Sequence, residues 1–112
     1  MHPEAIDKLY SARLAILRGS VAAKIEVEKL GEEEFLVRVR EGSSETTHRV
    51  TLKSGEYQRL AGGKVSAEEL IRKSFEFLLQ RESKESILSR FDLPVIGRYF
   101  PEYEREIKRH LS

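Results

Sequence analysis

The chain contains no cysteine, only three prolines, and no excess of charge of either sign. Without thiols there can be no disulfide scaffold, thiolate zinc site, iron–sulfur cluster or cysteine nucleophile. No apolar run approaches the roughly 20 residues that a membrane-spanning helix needs. The opening Met1-His2-Pro3-Glu4 lacks the basic and apolar regions of a secretory signal, so a cytoplasmic location is expected. The net charge is +1, with eleven Lys/Arg against ten Asp/Glu in residues 1–64 and nine of each thereafter. A nucleic-acid chaperone draws its affinity from a basic excess or tail, and this chain has neither. A site-specific DNA-binding protein stays open, because a dimer can gather a few basic side chains on one face.

What is present is a moderate apolar content, 39%, and a high charged content, 35%, in 112 residues. The charges are interspersed, as on a well-solvated surface, and the length fits one domain with one modest core. Self-association or a partner is expected to complete the burial. Residues 1–112 read as a single domain, with no repeat, low-complexity stretch or linker.

Periodicity divides the chain into four parts. In residues 1–19, Ile6, Tyr10, Leu14 and Leu17 recur at helical spacing over 4–18, and Gly19 stops the pattern. Over 20–53 the period changes to two. Val21, Ala23, Ile25 and Val27 alternate with polar or small residues; Phe35, Val37 and Val39 do the same, as do His48, Val50 and Leu52. Gly31 and Gly42 lie in the short connections. This predicts a three-stranded antiparallel meander, wet on one side and covered by helix on the other. Over 54–82, Tyr57 and Leu60 mark a short helical turn closed by Gly62-Gly63. Ser66-Ala67-Glu68-Glu69 then forms a capping box that opens a central helix to about Arg81, with Ile71, Ser74, Phe75 and Leu78 on its apolar stripe. Over 83–112 a helical extension is interrupted at Pro94 and Pro101, with Ser83 and Asp92 as caps and Tyr103, Ile107 and Leu111 on a last amphipathic helix. The fold class is α+β.

Few residues suggest chemistry. His2, His48 and His110 lie in three distant segments, whereas a metal site needs three or four convergent ligands; His48 reads as a strand residue at the sheet margin. Gly62-Gly63-Lys64-Val65-Ser66 has a phosphate-loop look, but Gln58 stands where the first Gly belongs and Val65 where Ser or Thr must follow the Lys. It reads as a turn before a capped helix. The glutamates of 32–34, 68–69 and 102–106 fall at a hairpin, a helix start and a terminal helix, where solvated charge is natural, and no nucleophile-elbow pattern occurs. No cofactor, metal site or membrane contact is expected, and an enzyme ranks third among the functional readings.

Binding readings rank above it. The aromatic residues Phe91, Tyr99, Phe100 and Tyr103, together with Phe77 on the flank of the central helix, form a candidate protein interface, since aromatics are frequent interface anchors. On the third strand, Thr47, Arg49, Thr51 and Lys53 form a polar and basic row suited to a solvated face or to a ribbon in a DNA groove.

The order of elements from Thr47 to Glu82 resembles the ribbon-helix-helix family of DNA-binding repressors and antitoxins. The resemblance lies in the strand Thr47-His48-Arg49-Val50-Thr51-Leu52, the short helix around Tyr57-Leu60 and the capped stretch Ser66-Ala67-Glu68-Glu69-Leu70-Ile71-Arg72. It implies a dimer whose shared ribbon meets bases through Thr47, Arg49 and Thr51, with the Val65-Ser66 amides on a phosphate. It covers about a third of the chain, and two strands precede the one that would form the ribbon. The leading expectation is a non-enzymatic interaction or regulatory module, homodimeric or bound to another protein. Sequence-specific DNA binding is the alternative.

Overall fold

A computed structural model describes residues 23–111 and shows an α+β fold. The expected helix over 4–18 lies outside these residues. The strands are β1 (Lys24–Lys29), β2 (Glu34–Glu41), β3 (Ser44–Thr51) and β4 (Arg90–Asp92), in the spatial order β1-β2-β3-β4. Helices α1 (Ser54–Ala61) and α2 (Ala67–Leu79) follow β3, and α3 (Ile96–Tyr99) and α4 (Tyr103–Leu111) follow β4.

The sheet differs from the expected three-stranded antiparallel meander. β1, β2 and β3 are antiparallel neighbours, but β4 returns from the far end of the chain and adds to β3 in parallel, pairing Arg49 with Arg90, Val50 with Phe91 and Thr51 with Asp92. Three residues are too few to display a period, so the helical reading of this region had no competitor. Glu41 and Ser44 close the β2–β3 hairpin, where Gly42 at φ 61° supplies the positive φ that so tight a connection needs.

Strand alternation gives the sheet two unlike faces. Ile25, Phe35, Val37, Val39, His48, Val50 and Phe91 are buried on the inner face, under the helices. The joint between layers is aromatic: the Phe75 ring of α2 lies 5.3 Å from the His48 ring and 6.0 Å from that of Phe91. On the far side of α2, Tyr103 is fully buried, and its hydroxyl meets Ser74 Oγ at 2.7 Å while Ser74 donates to the Leu70 carbonyl. One small polar side chain thus satisfies the buried phenol, which would otherwise lose a hydrogen bond on leaving water. Burial raises the Tyr103 phenol above its ordinary range.

The central helix starts as its sequence dictates. Ser66 Oγ accepts from the Glu69 amide at 3.1 Å. The Glu69 carboxylate does not complete the box but turns to Arg72 and Lys73, at 3.4 and 3.9 Å. Helix α1 ends at Gly62, whose φ of 55° is left-handed and whose N–H donates to the Gln58 carbonyl. Beyond α2 the expected helix from Ser83 to Phe91 is instead a 3-10 turn, Lys84–Ser86, followed by extended chain into β4. Asp92 does not cap; its carboxylate accepts from the Thr51 hydroxyl.

Removing the Phe75 ring should cost about 3–5 kcal/mol, as large aromatic truncations in a core do. Tyr103→Phe keeps the packing and removes one hydrogen bond, so about 1 kcal/mol is expected. Urea unfolding followed by circular dichroism measures both. Equal losses at the two positions would show that Phe75 does not join the layers.

Candidate functional site on the uncovered face of the sheet

The outer face of the sheet bears Lys24, Glu26 and Glu28 from β1, Glu34, Leu36, Arg38 and Arg40 from β2, alternate residues of β3 from Glu45 to Thr51, and Arg90 and Asp92 from β4. Each of these is exposed or half-buried, and all the described helices pack on the other side. Register sets the neighbours: Glu26, Arg38 and Thr47 form one row, and Glu28, Leu36, Arg49 and Arg90 the next.

Ion pairs run across these rows. Arg38 reaches Glu28 at 3.1 Å, Arg40 reaches Glu26 at 3.3 Å and Glu45 at 2.9 Å, and Arg49 reaches Glu34 at 3.5 Å. The Arg90 side chain makes no hydrogen bond or ion pair among the described residues. It stands directly beside Arg49, an arrangement of like charges that costs energy unless something compensates. Arg90 and Ser89 were missed by sequence reasoning. Their only signal is that Phe91 is apolar between two charges, too short a pattern to separate from noise.

The predicted site residues are divided among several places. Thr47, Arg49 and Thr51 do share the outer face. Lys53 has left the sheet and precedes α1, and Ser66 caps α2 in the helix layer on the opposite side. β3 is paired with β2 along its whole length and with β4 at Arg49 to Thr51. Of the aromatic residues, Phe77, Phe91 and Tyr103 are core. Phe77 packs edge-on against Phe100 at 5.9 Å and Tyr103 at 5.3 Å, with the Arg81 guanidinium 3.6 Å from its centroid. Phe100 is half-buried, and Tyr99 alone is broadly exposed, at 45%.

Lys84 and His48 are among the buried polar groups that were not foreseen. Lys84 is 4% exposed and binds Glu85 at 2.7 Å and Glu41 at 3.0 Å, fastening the 3-10 turn to the end of β2. Burial disfavours its charge, but the two carboxylates outweigh this and raise its pKa; Lys84 in turn lowers that of Glu85. His48, expected at the sheet margin, is 2% exposed on the inner face. Its Nδ1 is 2.8 Å from the Leu88 carbonyl, which can only accept, so Nδ1 carries the proton and Nε2 accepts from the Thr46 hydroxyl, also at 2.8 Å. Both groups hold the segment before β4 in place.

Among the described residues no cluster of three His, Asp or Glu could hold a metal ion, and no helix is long and apolar enough to cross a membrane. No family model, curated protein or solved structure matches the chain.

Burial lowers the His48 pKa below its ordinary 6.5. The unfolded chain therefore takes up this proton first as pH falls, and the stability tied to neutral His48 is full above about pH 6.5 and declines below it. The urea midpoint should drop between pH 7 and pH 5, and drop less in His48→Phe. Parallel declines in the two proteins would assign the effect to other groups.

Proposed function

We propose that the protein is a small non-enzymatic interaction or regulatory module that binds a second copy or another protein through the face of its sheet that no described helix covers. The observation that supports this is the layout of that face. Leu36 lies at its middle, flanked along the row by Glu28 and Arg49 and along the strand by Glu34 and Arg38. An apolar centre within a charged rim is the usual anatomy of a protein contact. Strand spacing makes the face roughly 20 by 25 Å, the scale of a small partner footprint. Because most of its charges already pair with one another, docking on this face strands few of them.

The DNA reading would use the same face through Thr47, Arg49 and Thr51. Glu45 stands beside Thr47 on the same strand, and Glu26 and Glu28 lie two strands away on the same face; together they would repel a phosphate backbone laid across the strands, so a protein partner is preferred. A cytoplasmic setting accompanies this reading.

Leu36→Lys combined with Thr47→Lys alters the face without touching the core. Sedimentation velocity over a concentration series, and chemical cross-linking in an extract, should show self-association or partner capture by the native chain. The double variant should lose it at an unchanged melting temperature. If capture survives these changes and is lost in Tyr99→Ala with Phe100→Ala, the contact belongs to the C-terminal turn.

A further inference from the structure

Where β4 begins, the outer face has a shallow depression of about 400 Å³, lined by Leu36, Thr47, His48, Arg49, Ser89 and Arg90. Three observations give it a chemical character. The first is the side-by-side placement of Arg49 and Arg90, which concentrates two guanidinium groups that cannot lose their charge. The second is that these two are the least engaged arginines of the face: Arg40 has two carboxylates, Arg38 one at 3.1 Å, Arg49 one at 3.5 Å, and Arg90 none among the described residues.

The third concerns the backbone. The Arg49 N–H donates to the Ser89 carbonyl at 2.7 Å, so the odd-numbered residues of β3 direct their main-chain groups toward β4. β4 starts opposite Arg49, and Thr47 therefore turns its N–H into the notch just beyond the end of the ladder. Thr47 and Ser89 are exposed and line the same space, and the Thr47 side chain stands on the outer face with its hydroxyl.

We propose that this notch binds a phosphate monoester, with the guanidinium groups of Arg49 and Arg90 on its oxygens and the Thr47 amide and hydroxyl completing the shell. Two fixed cations match a dianion, and planar guanidinium forks suit the spacing of phosphate oxygens. A phosphate has acceptor sites for all of these donors, whereas a carboxylate has fewer. Glu34 is the resident competitor for Arg49, and it releases that arginine when the phosphate arrives. Asp92 and Glu45, two residues along their strands from Arg90 and Thr47, are the other nearby carboxylates, and hydrogen bonds from Thr51 and Arg40 keep them occupied. The acidic residues of β1, at the far edge of the sheet, restrict the ligand to a compact anion over this corner. The site rests on the reading of the open face only for the source of the phosphate, a phosphorylated side chain of a protein partner or a small phosphate ester.

The test is a titration of the isotope-labelled full chain, followed by amide chemical shifts. Inorganic phosphate comes first, then phenyl phosphate, then a short phosphoserine peptide. Saturable shifts centred on Thr47, Arg49, Ser89 and Arg90 are expected, weakened at least tenfold in Arg90→Ala and in Arg49→Ala, both surface changes that leave the spectrum otherwise intact. A phosphopeptide that binds several-fold tighter than phenyl phosphate supports the site and assigns the source to a phosphorylated protein. Equal affinities support it with a small ester as ligand. Absence of a saturable shift at Thr47, binding indifferent to Arg90→Ala, or acetate binding as tightly as phosphate would each overturn the proposal. Such a failure is distinguishable from failure of the interaction reading, because self-association or capture that persists in phosphate-free buffer and in Arg90→Ala reports the face without the notch.

Discussion

The segment Ile87 to Asp92 has to cross from the helix layer back to the sheet, and what holds it there also shapes the face on the other side. It is held by contacts from several directions. His48 takes the Leu88 carbonyl, the Arg49 amide takes that of Ser89, and Phe91 inserts its ring beside Phe75. Lys84 anchors the preceding turn to Glu41. Phe91 is 7% exposed because Val50 and Phe75 surround it. Alternation along an extended chain then leaves Arg90 no choice of side: with Phe91 inward, its neighbours face outward. The position of a surface arginine is thus fixed by a core aromatic one residue away.

Much of this was legible in the sequence, and the boundary between what was and what was not is physical. Strands β1 to β3 and helix α2 each carry enough periods for alternation or an apolar stripe to stand out, and the Ser66 cap is a local signal that needs no tertiary context. The stretch 83–101 carries no such signal. Its conformation follows from contacts made by residues 40 and 41 positions distant, His48 with Leu88 and Thr51 with Asp92, and no local propensity encodes them. The aromatic residues illustrate the same limit for function. Phe77, Phe91 and Tyr103 have the composition of an interface and the positions of a core, and only packing separates the two. For His48, the alternation gave the correct face, while its depth depended on a helix laid across the sheet.

The outer face adds little to stability. Exposed ion pairs of this kind contribute about 0–1 kcal/mol each, because both partners remain solvated and lose side-chain freedom. Their arrangement matters more for what the face can meet. Three of the four strands pair their charges across the sheet, which removes the strong field of either sign that would draw a long polyanion or polycation. The face is therefore neutral in sum and uneven in detail.

That unevenness runs along one axis. The β1 edge offers glutamates, which engage the two β2 arginines; the β4 edge offers Arg90 beside Arg49, with Glu34 the nearest claim on either. A row of like charges is tolerated in a native sheet when water screens it, and it can be relieved when an anion arrives. The parallel addition of β4 is what creates the juxtaposition. A meander of three strands would have left Arg49 on an edge with its glutamate, and the backbone of Thr47 would have faced solvent along an unbroken strand. Starting the fourth strand opposite Arg49, two residues beyond Thr47, puts a main-chain donor and two cations around the same small space.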